Sequence, residues 1–382
     1  MLELHATVAI VGTLLVTPVH AIPVNPVDDA EVVEVLPMTG GNRDERQWRR
    51  ELASHPTDPV VATAAARRWL GYAREQGDPR FAGQALAALE PWPDPGAAPD
   101  AVLLMQATIE QYLHAFDAAA SKLERLVQRA PRNAQAWLTL ATVRRVQGRY
   151  ADSDAACRGL AAVADGPFAA ACLAENDGLE GRIDAARSTL TRLVALPNVS
   201  ADTRSWLLTT RAELESRTGH ASSAEADYRA ALALGHDPYA TMSFADFLLQ
   251  RGRNLDVITV LRNEPRSDAV LLRLAIAGTR ARSADGAHDA SEMRERIALA
   301  NERPDVRVLH AREQAMFALY VDADAPRALE LARINVRQQR EPVDVLLLAQ
   351  AAHATGDTGA MREADQLRRD VGIADRRLEV FQ

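Results

Sequence analysis

Apolar residues along this chain recur at spacings of three and four, the stripe that one face of an α-helix makes. Phe116, Ala119, Leu123 and Leu126, for instance, share a face. Short glycine-containing breaks interrupt such runs at Gly77-Asp-Pro79, Gly148-Arg-Tyr150, Gly181-Arg-Ile183, Gly219-His-Ala221, Gly252-Arg-Asn254 and Gly356-Asp-Thr358. Their spacing resolves into steps of about 35 residues, with intermediate breaks expected at His114-Ala-Phe116, Asp285-Gly286 and Asp322-Ala-Asp324. A step of that length holds one helix–turn–helix unit, which cannot bury its apolar face alone and must stack on its neighbours. The pattern predicts an all-α chain built as a solenoid of about nine such units over residues 59–374.

Small residues return at fixed places within the units. The unit Asp100 to Asn133 has Leu103 at position 4, Ala107 at 8, Phe116 at 17, Ala119 at 20, Leu123 at 24 and Pro131 at 32. The next, Ala134 to Gly166, supplies Trp137, Leu140, Ala141, Gly148, Tyr150, Ser153 and Cys157. The unit from Ser205 gives Ala212, Gly219, Ala224, Tyr228 and Ala231. Further units start near Thr63, Pro167, Pro238, Asp268, Leu309 and Pro342; those from Pro238 and Asp268 lack Ala at position 20 or carry an insertion. This register resembles the tetratricopeptide repeat family. The resemblance implies a right-handed superhelix whose first helices line a concave groove, with positions 2, 5, 9 and 12 projecting into it.

Carried over residue by residue, position 9 reads Thr108, Thr142, Glu175, Glu213, Asp246, Ile276, Phe317 and Gln350. Glu175, Glu213 and Asp246 would form an acidic column suited to a basic segment of a partner, since a concave wall focuses potential. Trp206 and Tyr239 stand at position 2, and His310, Phe317 and Tyr320 make an aromatic patch further along. Aromatic residues of this kind anchor interfaces. The plainer reading of the column is a solvated helical face. The Lys and Asn clamp with which some relatives grip a carboxyl terminus is missing here.

The ends of the chain differ from the repeats. Ala6 to Val19 is apolar and short for a membrane span, and Val19 and Ala21 occupy the small-residue positions before a cleavage site. Residues 1–21 are therefore expected to be a signal peptide, although Met1 to His5 carries Glu3 and no Lys or Arg. A buried amino-terminal helix of a cytoplasmic protein is the alternative. Residues 22–42 would be a linker, 43–58 a degenerate half-repeat or cap, and 375–382 a tail folding back as a partial cap.

Composition narrows the function more than the fold. Of 382 residues, 47% are apolar, 5% aromatic and 25% charged, and the net charge is −8. That acidity argues against a nucleic-acid binder, which needs a basic surface to displace counterions. Arginine supplies all the basic residues except Lys122, spread along the chain with no dense block, as base composition alone would produce. No phosphate loop, nucleophile elbow or His-Glu-x-x-His helix appears, and the nine His residues have no spacing that closes a metal site. No enzyme, cofactor or metal is expected. Cys157 and Cys172 are the only cysteines; they could bridge adjacent units in an oxidising compartment, or fill space as two buried thiols. The expectation is a periplasmic, non-catalytic scaffold of a bacterial cell envelope that binds a protein or peptide in its groove and meets a membrane only through a partner. An assembly subunit of an export or polysaccharide-secretion apparatus is the alternative.

Overall fold

The computed structural model describes residues 43–76, 79–302 and 310–381. The expected signal peptide and linker lie outside the described residues. The chain divides into two compact units, residues 1–48 and 49–382. Of the first, only the opening of helix α1 (Arg43–Ser54) is described; the second holds the repeats.

Residues 49–382 contain nine successive helix pairs among the described residues: α2 (Pro59–Gln76) with α3 (Pro79–Ala87), α4 (Asp100–Tyr112) with α5 (Phe116–Arg129), α6 (Ala134–Val146) with α7 (Tyr150–Ala161), α8 (Pro167–Leu179) with α9 (Ile183–Val194), and α10 (Ala201–Arg217) with α11 (Ala221–Ala233). Then come α12 (Pro238–Gln250) with α13 (Asn254–Leu261), α14 (Asp268–Ala281) with α15 (Ala284–Asn301), α16 (Ala311–Tyr320) with α17 (Ala325–Asn335), and α18 (Pro342–Thr355) with α19 (Thr358–Val371). A 3-10 segment, Arg376–Phe381, ends the described chain. Each first helix also touches the first helix of the following unit, so the architecture is an all-α solenoid.

Local chemistry sets the helix ends. Asn133, Ser200, Ser267 and Asp357 accept backbone N–H bonds at their helix starts, satisfying donors the helix leaves open. Pro167, Pro238 and Pro342 each open a first helix, where the missing N–H costs nothing. The turn inside a pair needs a residue with left-handed backbone. Glycine provides it at 148, 181, 219, 252 and 356, but His114, Arg282 and Ala323 adopt it elsewhere at φ of 54–59°. The breaks at His114 and at Asp322-Ala-Asp324 fall where the repeat length puts them. The one expected at Asp285-Gly286 lies instead at Arg282-Ser283, because Ser283 caps α15 by accepting from the Gly286 N–H.

Within each pair the helices cross through small side chains. Ala107 and Ala119, Ala141 and Ser153, and Ala212 and Ala224 are all fully buried. The Ser153 hydroxyl donates to the Ala141 carbonyl at 2.9 Å, so the one polar member is satisfied. In the irregular unit from Asp268 the crossing moves to glycine: a Cβ on Gly278 would lie 2.3 Å from the Gly286 Cα. Between units, Cys157 on α7 and Cys172 on α8 form a disulfide with Cα atoms 5.8 Å apart.

The carboxyl-terminal unit does not simply continue the stack. Its approach loop and its exit both return to earlier units. The Arg340 N–H donates to the Val146 carbonyl and the Ala374 N–H to the Leu179 carbonyl, each at 2.7 Å. Val371 and Arg340 sit against Gly148, where any Cβ would collide with them at about 3 Å. One apolar cluster accordingly joins Tyr150 and Leu179 with Leu346, Leu347, Ile373 and Leu378. The tail folds back, but it reaches across units rather than only covering the last one.

The crossings and the disulfide set how the fold responds to substitution. Gly278→Ala should lower the unfolding free energy in a urea titration by about 3 kcal/mol, because backbone rather than a movable side chain blocks the new methyl. Gly71→Ala, with open space around it, should change stability by less than about 1 kcal/mol. Replacing Cys157 and Cys172 together with Ala should cost about 3 kcal/mol, the chain-entropy figure for the 15-residue separation, and reductant should produce a like loss in the parent protein.

Candidate partner-binding face

The three carboxylates of the expected acidic column stand on successive first helices, α8, α10 and α12, yet they do not form a free acidic stripe. Glu175 pairs with Arg145 of the preceding first helix at 3.0 Å. Asp246 receives both arms of Arg273 from the following first helix, at 2.8 and 2.5 Å. Glu213, between them, accepts from the Tyr239 hydroxyl at 2.8 Å and the Ser243 hydroxyl at 3.0 Å. The face is thus a ladder of alternating charge laid across the units. Arginine makes this possible, since its fork matches a carboxylate with two bonds.

Glu213 is the member whose charge is least compensated. Desolvation pushes its carboxyl above the ordinary glutamate range; the nearby Arg217 pulls the other way, and Glu175 adds to the rise. The charge of the same carboxylate holds the Tyr239 phenol well above its usual value. Arg217 is buried, and its Nε has no hydrogen-bond partner.

The aromatic residues separate into two groups. Phe168 and Tyr239 are the second residues of α8 and α12, Trp206 stands in the second turn of α10, and the three occupy the same repeat position of successive units. Phe168 stacks on Trp206 with ring centroids 5.7 Å apart. Tyr239 is 59% exposed and Phe168 38%, an unusual state for such large rings. Sequence reasoning passes over Phe168, although it sits at position 2 as Trp206 and Tyr239 do; reading that position in every unit finds it.

The second group is mostly internal. Phe317 is only 3% exposed, belongs to the apolar core and lies under the Arg294 guanidinium at 5.5 Å, so it does not face the groove. Tyr320 is half-buried; its hydroxyl donates to Gln350, and Arg280 covers its ring at 4.7 Å. Burial pushes its phenol up to about 12. His310 is the residue before α16 and gives α16 no side-chain cap bond. The structure therefore brings Glu175, Glu213, Asp246, Trp206 and Tyr239 onto one face, takes Phe317 into the core, and leaves Tyr320 at the edge of that face beside Asp246. A cavity of about 140 Å³, lined by Asp246, Ile276, Arg280, Tyr320 and Gln350 among others, marks where the face closes toward α18.

Among the described residues no group of three or more His, Cys, Asp or Glu is placed to hold a metal ion, and no helix is long and apolar enough to cross a membrane. No protein-family model matches the sequence, and no curated protein does. Solved structures show a looser likeness. A chain of the APC/C hetero-tetramer Cut9–Hcn1 shares 12% identity at a TM-score of 0.41, covering 85% of this chain and 51% of its own, so this chain spans about half its length. PilF of Pseudomonas aeruginosa gives 13% identity and a TM-score of 0.37, over 56% of this chain and 96% of that one. A tetratricopeptide repeat protein of Parabacteroides merdae gives 15% and 0.39, over 65% and 97%.

The Glu213 environment has a measurable sign. Its folded-state pKa lies above the ordinary value of 4.5, so its protonated form favours the fold. That contribution is whole below the unfolded value and is lost as pH rises through the raised one. Glu213→Gln keeps an oxygen acceptor and removes the charge. The variant should resist urea better than the parent at pH 8, with the difference shrinking toward pH 4.

Proposed function

We propose that this chain is a non-catalytic scaffold that holds a partner protein or peptide against the first helices of its central units, in the manner the tetratricopeptide resemblance implies. The observation that carries the reading is the row Phe168, Trp206 and Tyr239. Three large rings at one register position, two of them markedly exposed, give three units a shared apolar contact line. Rings of this size carry contact area at little conformational cost, and such residues dominate binding energy where they occur. Beside the row, the Glu213 carboxylate offers a basic segment of the partner an incompletely compensated charge.

We place this scaffold in the cell envelope, in the periplasm. The expected signal peptide motivates that reading, and the Cys157–Cys172 disulfide supports it, because such bonds persist in oxidising compartments and are rare in a reducing cytoplasm. Contact with a membrane would come through the partner.

Crosslinking in the native host, read by mass spectrometry, tests the proposal: crosslinks should concentrate on α8, α10 and α12. Against the partner so identified, Trp206→Ala with Tyr239→Ala should weaken binding by about 30-fold or more, the effect of losing about 2 kcal/mol at an interface centre. Unchanged affinity in a folded double variant would remove this face from the reading.

A further inference from the structure

The tail of the chain occupies the opposite end of the same three helices. Leu179 closes α8 and accepts from the Ala374 N–H at 2.7 Å. Gly219 follows α10, and the Arg376 guanidinium packs on it, leaving no room for a Cβ without contact at 3.1 Å. Gln250 closes α12 and accepts from Arg377 Nη1 at 2.7 Å. The segment thus walks along the carboxyl ends of successive first helices. Those ends carry the negative pole of the helix dipole, which favours arginine.

The segment also organises itself for this seat. Asp375 accepts from the Arg377 backbone N–H at 2.9 Å and clamps its guanidinium through both carboxylate oxygens. Leu378 is 3% exposed, in the cluster that holds Tyr150 and Leu179. The Phe381 ring meets His353 edge-on at 5.5 Å. Beyond Ile373, Asp375 and Leu378 little of the segment is buried: Arg376, Glu379 and Val380 are exposed. By contrast, the rest of the carboxyl-terminal unit is fixed by a buried network in which Asp344 accepts from Arg312 at 2.6 and 2.8 Å and from Asn335 at 2.6 Å.

We propose that the carboxyl ends of α8, α10 and α12 form a recognition seat for a peptide segment of the type Asp-Arg-Arg-Leu, held by the chain's own tail until a partner carrying such a segment replaces it. This rests on the scaffold reading above and names the partner's chemistry: two arginines that meet helix ends, followed at once by an aliphatic residue that enters the cluster beside Tyr150. Three buried side chains and two cross-unit hydrogen bonds are few enough contacts for exchange, while the Asp344 network keeps α18 and α19 in place.

The test uses the full chain carrying Arg377→Ala with Leu378→Ala, and a fluorescent peptide of residues 372–382. The variant should keep the parent's helical circular dichroism and bind the peptide at least tenfold more tightly than the parent does, whose seat is filled. A peptide carrying Arg377→Glu and Leu378→Asp should bind at least tenfold more weakly than the unaltered one. A folded variant that ignores the peptide overturns the proposal, as does loss of helical structure, which would make the tail part of the core. In the unaltered protein, the amide hydrogens of Ala374 and Leu378 should exchange at least 100-fold faster than those of Leu346 and Leu347; equal protection overturns it too. Crosslinks to the aromatic row that persist alongside a failed peptide would remove the seat and leave the scaffold reading standing. Peptide binding without any such crosslinks would do the reverse.

Discussion

Everything in this solenoid depends on two helices approaching closely enough that only a methyl, a hydroxymethyl or a hydrogen fits between them. Ala107 against Ala119 and Ala141 against Ser153 set that distance, and Gly278 against Gly286 sets it where the unit is irregular. With the crossing fixed, the first helix of each pair presents the same register positions to the same side. The alignment of Phe168, Trp206 and Tyr239 is a consequence of that geometry. So is the placement of Glu175, Glu213 and Asp246 on one face. A larger residue at a crossing would tilt one helix, and every later unit would inherit the error because each packs mainly on its neighbours.

The arginines have a second role across the stack. Arg145 reaches Glu175, Arg187 reaches Glu215, Arg273 reaches Asp246 and Arg312 reaches Asp344, each about one repeat away in sequence. Arg187, Arg273 and Arg312 join unit to unit by planar, two-bond contacts that a lysine cannot form in the same geometry. They also explain why a face rich in carboxylates is not strongly acidic. The charge that position 9 contributes is answered at neighbouring first helices, and Glu213 stands out because hydroxyls rather than a guanidinium meet it.

Much of the fold is legible because it is periodic. Glycine breaks and small residues recur at the repeat length, and helix pairs follow from them. Where the signal fails, a different residue serves the same physical purpose. Arg282 takes the left-handed turn that glycine takes elsewhere, so the break falls before Gly286 rather than at it. Candidate site residues are legible by register but not by environment. Phe317 occupies a groove position in the repeat and yet is core, because its helix turns that position into the apolar cluster shared with Phe244 and Leu271. The return of residues 339–378 to the turns near Gly148, Gly181 and Gly219 has no sequence signal. Contacts between residues some 200 positions apart leave no trace in a pattern that repeats every 35.

That return changes what a binding face on this chain can mean. An open solenoid has nearest-neighbour energetics, and a ligand on its groove is judged only by the contacts it adds. Here Arg340 and Ala374 tie the last unit by backbone hydrogen bonds to α6 and α8, while the tail fills the ends of α8, α10 and α12. A partner that needs those ends is selected by the difference between its contacts and the tail's, and its apparent affinity falls by the fraction of molecules whose seat is free. A partner that uses only the aromatic row at the other end of the same helices escapes that competition. The two ends of α8, α10 and α12 therefore make separable surfaces, one open and one governed by the chain itself.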